Sequence, residues 1–217
     1  MESPGSYFTL LELFQMGGIL MWPLLLFSIV TVAITLERAI YLIYHNLRLD
    51  DLKANVEKAI LDGDPEKAIE YLESQSQRRM GARILLTMVK RHGLSDRHLE
   101  KAVEAEAMSC IASLENGFNF LVALGSISPL TGFLGTVTGM IGAFRSIAEA
   151  TDVNAQIVAS GIYEALITTV FGLIIAIIAM SAHSLFSHIV DRFASGVEIA
   201  CSDLLITIGE VKGKSED

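Results

Sequence analysis

The chain has 217 residues with 16 Lys and Arg against 25 Asp and Glu, a formal charge of -9, 52% hydrophobic residues and 19% charged ones; its mean hydropathy is +0.49. A soluble domain of this size needs more polar surface, so composition points to a membrane protein. A pI near 5.0 with no basic stripe excludes a nucleic-acid footprint, and four prolines without a low-complexity tract exclude a disordered scaffold.

Residues 1–12 contain no Lys or Arg and read as an outer N-terminal segment. Residues 13–36 are uncharged and long enough to cross a bilayer, which takes about 20 apolar residues. This first span lacks a basic n-region and a small-residue cleavage site, so it is not a cleavable signal. Residues 37–115 hold twelve of the sixteen basic residues and read as a cytoplasmic helical lobe. In it Leu52, Val56, Ala59 and Ile60 keep helical spacing up to Asp62-Gly63, and Asp64-Pro65 is an N-cap with proline at the first helical position. Ala68, Ile69 and Leu72 share the face of the next helix. Ser95 caps a further one, whose apolar positions Leu99, Ala102, Val103, Ala107, Ile111 and Leu114 predict an unbroken helix running into the second span.

That span covers 116–147, an outer loop 148–156, a third span 157–185, and a cytoplasmic helix and tail 186–217. The basic-residue asymmetry places the N-terminus outside and the C-terminus inside. The expected fold is an all-α membrane protein with three transmembrane helices and long helical cytoplasmic extensions.

The second span carries Gly132, Gly135, Gly139 and Gly142 at spacings of 3, 4 and 3, a bare stripe for close helix approach. Packing is the plain reading of that stripe, with a place beside a pore the alternative. Pro129 is expected to kink the helix or free a carbonyl. Thr131, Thr136 and Thr138 add hydroxyls, each of which ordinarily bonds back to its own helix. In the third span Glu164 is the single charge between Val153 and Val190. An acid at mid-bilayer costs about 2.5–3.5 kcal/mol, and one near the outer end can snorkel instead. Gly161, Ala165, Thr168, Gly172, Ala176 and Ala179 form a second small-residue stripe. One acid, the adjacent Thr168 and Thr169 and a flat face suit a helix lining a narrow polar passage.

These stretches resemble the MotA/TolQ/ExbB proton-channel family, its ExbB/TolQ branch in particular. Leu36-Glu37-Arg38-Ala39-Ile40-Tyr41-Leu42 is similar to that family's charged exit from the first span. Ser128-Pro129-Leu130-Thr131-Gly132-Phe133-Leu134-Gly135-Thr136-Val137 resembles its Ala-Pro-Leu-Leu-Gly-Leu-Leu-Gly-Thr-Val signature. Ile162-Tyr163-Glu164-Ala165-Leu166-Ile167-Thr168-Thr169 resembles its Ile-Ser-Glu-Ala-Leu-Ile-Thr-Thr. The resemblance implies a proton pathway through Thr136, Thr169 and Glu164, with Thr168, Thr138, Thr131, Pro129, Gly132, Gly135 and Gly139 supporting the pore or its packing. It also implies a pentameric homo-oligomer, an oligomeric ring around ExbD- or TolR-like single-span subunits that each bring a membrane Asp. A TonB- or TolA-like protein would be driven in turn, from the bacterial inner membrane. The chain departs from the family where Ile177-Ile178-Ala179 replaces Ile-Pro-Ala, and near His183, where a Tyr is common.

Glu164 and Thr169 lie about 140° apart on a regular helix, so either the pore-facing arc is wide or the two residues face different neighbours. The function expected is a proton-channel or motor subunit, the alternative a passive membrane scaffold anchoring the lobe. The histidines show no metal-binding spacing, Cys110 and Cys201 read as buried apolar thiols, and no nucleophile has an attendant base. No enzyme activity, metal or cofactor is expected.

Overall fold

The computed structural model describes the backbone of residues 10–93, 95–149 and 155–216, all of its regular elements being helices. The elements are α1 (Leu10–Met16), α2 (Met21–Tyr44), α3 (Asp50–Leu61), α4 (Pro65–Gln75), α5 (Met80–Lys90), α6 (Asp96–Glu115), α7 (Phe118–Glu149) and α8 (Ala155–Glu216). Most of the expected outer segment 1–12 and outer loop 148–156 lies outside the described residues. Three helical stretches, Met21–Tyr44, Arg97–Glu149 and Ala159–Gly209, are long and apolar enough to cross a membrane. The chain is an all-α, multi-pass membrane protein. Its large apolar side chains Trp22, Leu26, Ile29, Leu130, Phe133, Ile141 and Ile177 are exposed, as lipid-facing or subunit-facing residues are.

The chain divides into two units. The first comprises residues up to Leu36 together with Gly117–Ser184. Here α7 and α8 run antiparallel, with glycines as the register marks. A Cβ on Gly125 would meet the Met180 side chain, one on Gly132 the backbone of Thr168 and Thr169, and one on Gly139 that of Gly161. Position numbers rise along α7 as they fall along α8. The opposite face of α8 presents Ile167, Phe171 and Ile175 to Met21, Leu24 and Phe27 of α2, with Leu13 and Phe14 of α1 packed alongside. The helix of α7 continues through Pro129, and α8 continues through Ile177-Ile178-Ala179 without a break.

The second unit comprises Glu37–Asn116 and the chain from Leu185 onward. Helices α3 to α6 pack as successive neighbours around Leu52, Val56, Leu72, Ile84, Leu85 and Met88. α4 starts as the sequence predicts: the Asp64 carboxylate accepts from the Lys67 backbone N–H at 3.3 Å, and Pro65 takes the first turn. Ser95 stands at the N-cap of α6 but makes no capping bond; its hydroxyl pairs with the His98 ring at 2.6 Å instead.

The expectation of one continuous helix from Ser95 into the second span is corrected. The helix stops at Glu115 and restarts at Phe118, with Gly117 at φ +88° between them. A left-handed residue cannot continue a right-handed helix, and glycine adopts that conformation without a steric penalty. Along α8, Val190, Phe193, Val197, Ala200 and Leu204 form one buried face, and Asp203 pairs with Lys53 of α3.

Arg38 accounts for the charged motif at the end of α2. It is buried, pairs with Glu37, donates to the Ser113 carbonyl at 3.3 Å and stands 4.7 Å from the Tyr41 ring centre. A planar guanidinium can make all three contacts at once.

Candidate membrane site on α7 and α8

The bare stripe on α7 brings the α8 backbone close. Gly132 is the centre of that contact: a Cβ there would lie 2.8 Å from the Thr168 carbonyl oxygen and 3.0 Å from the Thr169 Cα. Closeness lets hydroxyls on α8 reach across. Thr169 Oγ1 donates to the Gly132 carbonyl at 3.1 Å. Thr168 Oγ1 lies 3.2 Å from the same oxygen and 2.8 Å from the Ala165 carbonyl of its own helix. A hydroxyl has one hydrogen to give and a carbonyl oxygen two lone pairs, so Gly132 can accept from both threonines while Thr168 shares its proton. Thr169 reaches α7 from one flank of the α8 contact, and Thr168 is buried within it.

The other hydroxyls behave differently. Thr136 Oγ1 donates to the Phe133 carbonyl of its own helix at 2.7 Å, and Thr131 to Ile127 at 3.0 Å. Thr138 bonds Leu134 and Gly135 carbonyls at 3.0 and 3.2 Å. Among the described residues no hydrogen bond joins Thr136 to Thr169.

Glu164 stands apart from the threonine pair. It borders an open concavity of about 730 Å³ whose wall includes Thr138, Gly139, Gly142, Ser146, Gln156, Ser160 and Gly161, with Ile19 at its edge. Thr138, rather than Thr136, is the α7 threonine that shares this space, together with Ser146 of the same helix. Small residues open it, since Gly142 has no atom within 4 Å of where a Cβ would stand. Hydroxyls and an amide around a carboxyl can hold water and hand a proton along it.

Sequence reasoning passed over several residues here. Thr31 and Thr35, one turn apart on α2, carry buried hydroxyl oxygens with no hydrogen-bond partner among the described residues. Their signal was two threonines at i, i+4 in an otherwise apolar span. Ser128, beside Pro129, is fully buried and bonds the Leu124 carbonyl at 2.6 Å, while a Cβ on Gly172 would come within 2.5 Å of the Ser128 carbonyl. At the other end of these helices the His183 ring stands edge-on to Phe118, 6.0 Å between centres. Among the described residues no group of three or more His, Cys, Asp or Glu is placed to hold a metal.

The family model described as "MotA/TolQ/ExbB proton channel family" matches residues 73–199, which include the whole α7–α8 contact. An ExbB-like biopolymer transport protein of Synechocystis sp. is 35% identical over 86% of this chain and 75% of its own length. A Vibrio cholerae biopolymer transport protein of the ExbB type is 30% identical over 88% of this chain and 84% of its own. The Tol-Pal system protein TolQ of Haemophilus influenzae is 46% identical over 36% of this chain and 34% of its own. With that coverage joined to three apolar helices and a glycine-lined contact, the chain belongs to the MotA/TolQ/ExbB proton channel family, in its ExbB/TolQ branch.

Proposed function

We propose that this chain is the proton-conducting subunit of an ExbB–ExbD or TolQ–TolR type complex of the inner membrane, which uses proton-motive force to energise envelope transport or maintenance. One observation carries the reading: Glu164 opens on a concavity lined by hydroxyls and small residues, one turn from the threonine pair on Gly132. In this reading Glu164 takes up protons from the outer side. Thr169 and Thr168, and Thr136 on α7, order water or exchange bonds along the path, while Gly132, Gly135 and Gly139 let the helices approach. The lobe of residues 37–115 lies in the cytoplasm, with the N-terminus outside.

The chain works as a ring of identical subunits, a pentamer by family resemblance, around a single-span ExbD- or TolR-like partner. The chemistry favours a partner with its own membrane carboxyl. Moving one charge through 100 mV yields about 2.3 kcal/mol, and a bare charge at mid-membrane would consume all of it. Threonines do not change charge near pH 7. A partner Asp, protonated during passage, removes that cost and couples flow to movement of a TonB- or TolA-like protein.

The test is acidification of liposomes under an imposed potential, with this chain alone and with its single-span partner. The ring alone is expected to be nearly proton-tight and the complex to conduct, with Glu164→Gln abolishing flux. A passive scaffold would conduct in neither case, and strong Glu164-dependent flux from this chain alone would sink the two-component reading.

A further inference from the structure

Glu164 has a neighbour that no motif pointed to. Gly18 lies in the turn between α1 and α2 with φ +68°. A Cβ built on Gly18 would overlap the Glu164 carboxyl oxygen and come within 2.8 Å of its Cδ. A Cβ on the preceding Gly17 would meet the Met21 side chain of α2 first and, at 3.3 Å, the Ile167 Cγ2 on the next turn of α8. Ile19, following, edges the same concavity as Glu164. Three consecutive turn residues thus follow the α8 surface. The turn is itself held in place, because Met21 and Leu24 just beyond it are buried against Ile167 and Ile175, with Tyr163 alongside.

We propose that Gly18 is a positioning residue for Glu164: the turn is a backbone seat for the membrane carboxyl, kept open by the absence of a side chain. Two requirements coincide at this position. The left-handed backbone favours glycine, and the carboxyl occupies the volume a side chain would need. Among the described residues no hydrogen bond or ion pair engages the Glu164 carboxyl, and the Gly18 turn is the backbone it packs against. A side chain at position 18 would meet the far end of a flexible group, which swings away. The protein would fold, and the carboxyl would be displaced into the open concavity.

This inference rests on the proton-path reading of Glu164, and the experiment separates the two. Two quantities are followed in liposomes holding the chain with its single-span partner. One is modification of Glu164 by a hydrophobic carbodiimide, located by mass spectrometry; the other is proton flux. Gly18→Ala is expected to raise the modification rate several-fold and to lower flux about tenfold, a misplaced reacting group being costly even at 1 Å. Gly63 provides the control for backbone strain, because it has φ +74° with nothing within 4 Å; Gly63→Ala should change neither quantity. Glu164→Asp shortens the acid by one methylene and makes room. In that background Gly18→Ala should cost less than about twofold, the non-additivity expected of residues in contact.

Should Gly18→Ala fail to fold, Gly18→Asn keeps the bulk while tolerating the left-handed backbone, and the same outcomes apply. Unchanged modification in Gly18→Ala, equal flux losses in the Glu164 and Asp backgrounds, or an equal effect of Gly63→Ala would each overturn the proposal. Normal flux in Glu164→Gln would instead overturn the proton-path reading, and the modification rates would still decide the seat.

Discussion

The Thr169 hydroxyl donates to the Gly132 carbonyl oxygen at 3.1 Å, across the contact between α7 and α8. In a span with no water to satisfy stray polar groups, a hydroxyl bonded to the neighbouring helix is both an adhesive and a fixed dipole. The bond exists because Gly132 has no side chain to hold the helices apart.

Gly132→Ala should therefore weaken the helix pair. Its Cβ would press on the Thr168 and Thr169 backbone at 2.8 and 3.0 Å, and backbone cannot swing aside as a side chain does. Overpacking of this kind costs about 1–3 kcal/mol. Gly142→Ala, in open space, should be neutral or slightly stabilising, since Ala favours helix over Gly by about 1 kcal/mol. Thermal unfolding of the two variants in detergent compares them directly; equal melting temperatures would mean that the stripe does not set the helix approach.

Thr169→Val and Thr136→Val keep the side-chain shape and delete the hydroxyl. The first loses a bond between helices, worth about 1 kcal/mol; the second loses only a bond to its own helix. Both variants should assemble, with Thr136→Val as stable as the parent, and both should lose proton-driven activity. Size-exclusion profiles and liposome flux measure the two properties separately. Full activity in both would reduce these threonines to packing groups.

The three spans were legible because charge-free runs of this length have one common explanation. The α4 start was legible from Asp64-Pro65, a local signal that acts through one hydrogen bond. The break at Asn116-Gly117 was missed because apolar spacing continues across it, and a single positive φ outweighs periodicity. The approach of Gly18 to Glu164 joins residues 146 positions apart through tertiary packing, which no local pattern encodes. Likewise Ser95 has a good capping residue's chemistry, but the nearby His98 ring takes its hydroxyl.

The lobe should weaken in acid through Asp51. Arg79 donates to its carboxylate at 2.6 Å, and that hydrogen bond, outweighing partial desolvation and aided by the guanidinium charge, holds the Asp51 carboxyl below its usual value. A depressed acid contributes stability that is full above its unfolded value of about 3.9 and lost as pH falls through the lower folded one. Asp51 is half exposed, so Asp51→Asn should cost only about 1 kcal/mol near neutrality. The gap between parent and variant should close as pH drops below about 4. Helicity followed by circular dichroism against temperature and pH provides the check, and a gap independent of pH would rule out this ion pair as the acid-labile contact.

The orientation has its own prediction. Twelve of sixteen basic residues lie in 37–115, a bias that would place this lobe in the cytoplasm under the proposed topology, and the Glu164 concavity would then open outward. Ser146 lines that concavity and is exposed, as is Gln77 between α4 and α5. Cys110 and Cys201 are both free and buried, so replacing them with Ala removes background reactivity at modest packing cost. In that background a membrane-impermeant thiol reagent added to intact cells should modify Ser146→Cys and spare Gln77→Cys, and permeabilisation should expose the latter. The reverse pattern would place Glu164 on the cytoplasmic side. Protons driven inward would then reach it last, and the carboxyl seated at Gly18 would release protons rather than collect them.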